Sequence, residues 1–386
     1  MKPLKQRIFG LDVVRALAIL MVLVSHCNYF FEDYDNLFID SLQLMGVLGV
    51  EIFFVLSGFL IGGMLLQMVQ SLRMSFNDVL YFWVRRWFRT LPLYFLMLLA
   101  NIGVALIVGD NLPSLIWKYV FFLQNFSNDY LPFFPESWSL SVEEYAYLLA
   151  PLVLWGSFKM FKNKNINRDN LFLVVSACLV LTFVCAKIFY HVSHIGEPQS
   201  LKIWNSNLKA LVVYRLDAIF YGFILVYCFN KYHDKIKQNK RKLFLLGIVM
   251  CLVVAGLLPL LGITIEAYPV YWNVFYLPII SITIGLTIPY LYFFKVENAY
   301  TKRIVTNISL YSYSMYLLHY TFLLYLMRLL INFQDLTLWY RFICVLAYLL
   351  LTYVLSRFVY LYFEKPMTNL RDAKQLKNIL VKHVVN

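Results

Sequence analysis

The chain has 386 residues, 61% of them hydrophobic and 14% charged, with a formal net charge of +13. Mean hydropathy is +0.68. Apolar runs of about twenty residues recur along its length, which excludes a soluble globular domain and points to a polytopic helical membrane protein. The basic residues lie in short inter-span segments rather than on one surface, so the charge reads as membrane topology and not as a nucleic-acid interface.

Ten spans are predicted, near residues 11–31, 44–69, 91–109, 138–158, 171–190, 211–229, 243–262, 271–294, 308–332 and 339–363. Together they form an all-α transmembrane bundle. The N-terminal segment, the alternate connections 73–89, 159–168, 231–242 and 295–303, and the segment after Glu364 hold 25 of the 34 Lys and Arg. The positive-inside rule then gives cytoplasmic N- and C-termini. The expected organisation is a membrane domain over 1–366 followed by a short basic cytoplasmic tail over 367–386. The first apolar segment is span-length, carries charges and has no clear small-residue cleavage site, so it is expected to remain as an anchor. The six cysteines show neither paired nor metal-ligand spacing and read as packing residues, and no metal site is expected.

The first span carries Asp12, Arg15 and His26. Eleven positions return a helix to within about 20° of its starting azimuth, so Arg15 and His26 share one face, about 16 Å apart along the axis. Charged groups inside a span are costly and are usually functional, so this stripe suggests a polar path through the membrane. In the second span, Glu51 and Ser57 lie among Gly46, Gly49 and Gly58, small residues that permit close approach. Before the third span, Arg85, Arg86 and Arg89 stand in an aromatic-rich segment. Two readings are open there: a membrane-surface anchor, or a phosphate clamp built from guanidinium forks. The fourth span opens on Trp138 and carries Glu143 and Glu144. Glu144 could instead close a helix-start capping box with Ser141. Arg215 and Asp217 begin the sixth span and could simply neutralise charges on neighbouring spans. With the predicted topology, Glu51, Glu143, Glu144, Arg215 and Asp217 all fall toward the outer side, at the level of His26. His319 lies within the ninth span and reads as a packing or pathway residue. Trp138 offers an aromatic face for a sugar ring, although interfaces are rich in Trp anyway.

Six motifs occur in order: Arg15-x10-His26, the run from Phe53 through Ser57-Gly58 to Ile61, Arg86-x-x-Arg89, the run from Trp138 to Glu143-Glu144, Tyr214-Arg-Leu-Asp217, and the run from Ser312 to His319. Together they resemble the acyltransferase 3 family of integral membrane acyltransferases, from about Phe9 to Pro366. The resemblance implies transfer of an acyl group, usually acetyl, from cytoplasmic acyl-CoA to a hydroxyl of an extracytoplasmic glycan or lipid-linked sugar, in a bacterial cytoplasmic (inner) membrane. It also implies that Arg15, His26, Arg86 and Arg89 are central to activity. Some relatives append an esterase-like domain after the last span; this chain is expected to acylate its acceptor directly or to pass the group to a separate protein.

Such an enzyme needs cations for the coenzyme A phosphates inside and a base near the outer side. Arg15, Arg85, Arg86 and Arg89 meet the first need. His26 meets the second, as general base or acyl acceptor, with Glu143 or Glu144 expected to orient its ring. Asp12, Glu51, Ser57, Trp138, Arg215, Asp217 and His319 are the expected supporting residues. Two other classes use similar parts: a proton-coupled transporter of a sugar or small anion, and a polymerase or ligase of lipid-linked glycans.

Overall fold

The computed structural model describes residues 7–33, 37–71, 74–127, 133–161 and 166–371, and among them every regular element is helical. Ten long helices follow in order: α1 (Phe9–His26), α2 (Leu37–Gln70), α3 (Phe76–Val108), α4 (Ser137–Met160), α5 (Arg168–Ser193), α6 (Asp217–Lys231), α7 (His233–Leu252), α8 (Leu277–Tyr292), α9 (Ala299–Leu318) and α10 (Leu338–Val359). Each matches one predicted span. Seven helical stretches of the described chain are long and apolar enough to cross a membrane, and they contain α1, α2, α3, α5, α7, α8 and α10. The other three depart from a simple apolar rod. Helix α6 has 15 residues and follows a 3-10 turn, Val212–Tyr214. Helix α4 opens on a polar turn, and α9 carries Lys302 and Arg303 in its first turn before continuing through a π-helical turn, His319–Leu324.

The largest boundary difference is at α3, predicted from residue 91 but beginning at Phe76. Ser75 is its cap: the Ser75 hydroxyl accepts from the Asp78 N–H, and the Asp78 carboxylate accepts from the Ser75 N–H at 2.8 Å. The Arg85–Arg89 segment therefore lies in the interior of a long helix. The capping box expected at Ser141 and Glu144 does not form. Helix α4 already starts at Ser137, so the backbone donors near Ser141 are satisfied within the helix. The Ser141 hydroxyl accepts from Gln124 and Glu144 accepts from Thr90.

Close backbone approach sets the packing. A Cβ on Gly49 would lie 2.7 Å from the Ala18 carbonyl oxygen of α1, and one on Gly222 would lie 2.5 Å from the Phe59 nitrogen of α2. Helix α2 thus packs tightly against both α1 and α6. Pro151 in α4 has no N–H for the Tyr147 carbonyl four residues back. The Trp83 indole N–H takes that carbonyl at 3.0 Å and ties α3 to α4.

The charges of α2, α5 and α6 are spent on each other. Glu51 pairs with Arg215 and accepts from Ser281 of α8 at 3.0 Å; Lys187 of α5 pairs with Asp217 at 2.5 Å. All four charged side chains are about 1% exposed. This is the neutralising role open to Arg215 and Asp217 from sequence, and it extends to Glu51.

Candidate active site

A cavity opens among α1, α2, α3, α4 and α9, holding about 850 Å³ of space not filled by atoms, counting its mouth. Arg15, Arg86 and Arg89 line it, although they come from two helices distant in sequence. Helix periodicity explains the arginine pair: positions three apart share a face of α3. The Arg86 guanidinium lies over the Tyr147 ring, 5.2 Å from its centre. Arg15 is 3.6 Å from Asp12. Arg89 is exposed and has no hydrogen-bond or ion-pair partner among the described residues. It also borders two neighbouring hollows, one of which holds Arg7, Lys365 and Arg371. Arg85 borders only an adjacent hollow, where its side chain donates to the Tyr81 hydroxyl at 2.8 Å.

The carboxylates of α4 face this cationic region. Glu143 lines the cavity and accepts from Ser57 at 3.2 Å and from Tyr147 at 2.6 Å. Glu144 is buried and accepts from Thr90 at 2.6 Å. Neither carboxylate is hydrogen-bonded to His26. The ring is instead held through Nδ1, 2.8 Å from the Val22 carbonyl oxygen. A carbonyl only accepts, so Nδ1 carries the proton and Nε2 keeps its lone pair.

Tyr316 lies between the cavity and His319, and neither His26 nor His319 lines the cavity. Tyr316 itself lines it, its hydroxyl is 2.7 Å from the Ser139 hydroxyl, and its ring lies 5.6 Å from that of His319. The His319 ring in turn meets His26 edge-on, with centroids 4.8 Å apart. Tyr29 and Tyr320 complete the surround, their hydroxyls 2.9 Å apart. Trp138 is buried against Phe54, with the Lys209 ammonium 4.7 Å from its ring centre. Asp12 is taken up at the other end of α1 by Arg7 at 2.5 Å and by Ser309 at 2.9 Å.

The structure therefore brings together Arg15, Arg86, Arg89, Ser57 and Glu143, and separately His26 and His319. It places Glu51, Arg215 and Asp217 in closed ion pairs. Sequence reasoning passed over Tyr316, although it sits in the Ser312–His319 motif, and over Lys187, Lys209 and Glu136. Among the described residues no cluster of His, Cys, Asp or Glu could hold a metal ion.

An all-helical bundle with several apolar, span-length helices and a cation-lined cavity among them defines an integral membrane protein. Residues 8–357 match the family described as an acyltransferase domain, and the chain belongs to that family. It is 30% identical over 205 residues to the putative peptidoglycan O-acetyltransferase YrhL of Bacillus subtilis, covering 49% of this chain and 29% of that protein. It is 31% identical over 192 residues to the O-acetyltransferase OatA of Staphylococcus aureus, covering 45% and 29%. With the peptidoglycan O-acetyltransferase OatA of Listeria monocytogenes it shares 30% identity over 175 residues, covering 41% and 26%. The matched stretch is less than a third of these relatives' length. No solved structure matches the chain.

Proposed function

We propose that this membrane acyltransferase moves an acetyl group from cytoplasmic acetyl-CoA to a hydroxyl of an extracytoplasmic glycan, in the bacterial cytoplasmic membrane. The observation that carries the reading is the cavity lined by Arg15, Arg86, Arg89 and Tyr316, with the Tyr316 ring packed against His319 and His319 against His26. Guanidinium forks suit the phosphates of coenzyme A. The relatives' names support a cell-wall glycan as the acceptor class.

In this reading the acceptor hydroxyl donates its proton to Nε2 of His26 as its oxygen attacks the thioester carbonyl carbon. The carbon–sulfur bond breaks and coenzyme A leaves as thiolate. The Val22 carbonyl fixes the ring and its tautomer, the task expected from sequence of Glu143 or Glu144. Those two carboxylates instead brace the donor end, Glu143 by holding Ser57 and Tyr147 beside Arg86. Much of the acceleration then comes from alignment of donor and acceptor. Residues 1–366 act as the catalytic unit; residues 372–386 of the basic tail lie outside the described residues.

The test is loss of ester-linked acetyl from cell-surface glycan on deleting the gene. Restoration is expected from the wild-type chain and not from His26→Ala. Unchanged acetylation in the deletion strain would remove the glycan assignment.

A further inference from the structure

Helix α9 does not end at its last regular turn. It runs into the π-helical turn His319–Leu324, and such turns within helices are frequent at functional sites. A buried carboxylate grips this turn. Glu136, 5% exposed, accepts from the Thr321 N–H at 3.2 Å through one oxygen and from the Thr321 hydroxyl at 2.6 Å through the other. Glu136 immediately precedes α4 and lies 185 positions from Thr321. Its two bonds therefore fix the turn bearing His319 and Tyr320 against the start of the helix carrying Ser139 and Glu143.

His319 is 1% exposed. Its Nδ1 lies 2.7 Å from the Tyr316 carbonyl oxygen and so carries the proton. Its Nε2 is then a lone-pair acceptor, buried and without a hydrogen-bond partner among the described residues. An orphaned buried acceptor is costly and calls for an occupant. The ring beside it is His26, whose Nε2 is also unprotonated by the same argument.

We propose that His319 and His26 form a two-imidazole proton relay, with Glu136 as the residue that positions it. The proposal rests on His26 being the base. When the acceptor hydroxyl bonds to the acyl carbon, its proton passes to His26 Nε2 and the carbon–sulfur bond breaks. Once the acceptor oxygen has bonded to the acyl carbon it releases the new His26 N–H, and the lone pair of Nε2 on the adjacent His319 ring, 4.8 Å away between centroids, shares or takes the proton. The proton returns through His26 to the departing thiolate, leaving both rings neutral. Glu136 touches no reacting atom and acts by holding the turn.

Wild type, His26→Ala, His319→Gln, Glu136→Ala, Glu136→Gln and Thr321→Val are compared in lipid vesicles with acetyl-CoA and a cell-wall glycan acceptor. Gln at 319 can accept a hydrogen bond but cannot carry a proton. His319→Gln is expected to lower kcat at least about a hundredfold, the lower end of acid–base contributions, with KM for acetyl-CoA unchanged and a larger solvent deuterium isotope effect on kcat. Glu136→Ala should act in the same direction, with no further loss in the double variant, while Glu136→Gln recovers part of kcat. Thr321→Val removes one of the two Glu136 bonds, and its smaller loss of kcat tests the turn if Glu136→Ala does not fold. Full turnover by His319→Gln with the wild-type isotope effect would overturn the relay while His26→Ala remained inactive. Turnover by His26→Ala would instead overturn the underlying function.

Discussion

Intramembrane charges in this chain fall into two groups, separated by what surrounds them. Glu51, Arg215, Lys187 and Asp217 are closed into pairs away from water. Arg86 and Arg89 face open space, one leaning on an aromatic ring and the other without a partner among the described residues. The first group should matter for folding and the second for binding. Removing one member of a buried pair strands the other, so Lys187→Met is expected to destabilise the protein by about 3–5 kcal/mol. Asp217→Asn added to it should recover part of that loss in thermal unfolding of the detergent-solubilised protein. Arg86→Ala and Arg89→Ala should leave unfolding nearly unchanged and weaken acetyl-CoA binding about ten- to a hundredfold each, as expected for a lost charge-assisted hydrogen bond. Titration calorimetry checks this, and unchanged donor affinity in both would return the segment to a structural role. At this scale the sequence shows that a charge lies in a span but not which partner it finds. Lys187 gave no signal because Asp217 is 30 positions away on another helix.

At the scale of elements, apolar runs of about twenty residues were enough to find the ten long helices, because helices that face lipid are apolar over most of their length. Departures from regularity were not legible. The π turn after Leu318 depends on Glu136, a residue remote in sequence, and the start of α3 depends on a local cap that lies before the apolar run. The Arg15–His26 spacing was legible because α1 is one unbroken helix from Phe9 to His26. The contact that holds the His26 ring was not legible because the helix supplies it internally, through the Val22 carbonyl one turn back. Glycine contacts between helices also follow from sequence only as a tendency. The Gly222 contact makes this specific: Gly222→Ala would force a methyl against the α2 backbone, which cannot yield as a side-chain end can. We expect a lower unfolding temperature for Gly222→Ala and none for Gly256→Ala, where a Cβ meets open space.

For the whole molecule, transfer from a cytoplasmic donor to an outer acceptor requires the arginine cluster and His26 to sit toward opposite faces of the bilayer. The distribution of Lys and Arg predicts that arrangement. A cysteine at Lys237 should react with an impermeant thiol reagent only after permeabilisation, and one at Asp35, which lies outside the described residues, should react from outside. The background cysteines must be removed first, since Cys178 and Cys185 are exposed on the protein surface. Labelling of position 237 from outside would reverse the direction of transfer.

Transfer from a coenzyme A donor in the arginine-lined cavity, with His26 of α1 as the base, is tested most directly by thiol release from acetyl-CoA by the purified protein in lipid vesicles. Release is predicted to depend on added glycan acceptor, to be matched by acetyl appearing on that acceptor, and to be lost in a folded His26→Ala variant. Acceptor acetylation without thiol release, or a wild-type rate from folded His26→Ala, would contradict it.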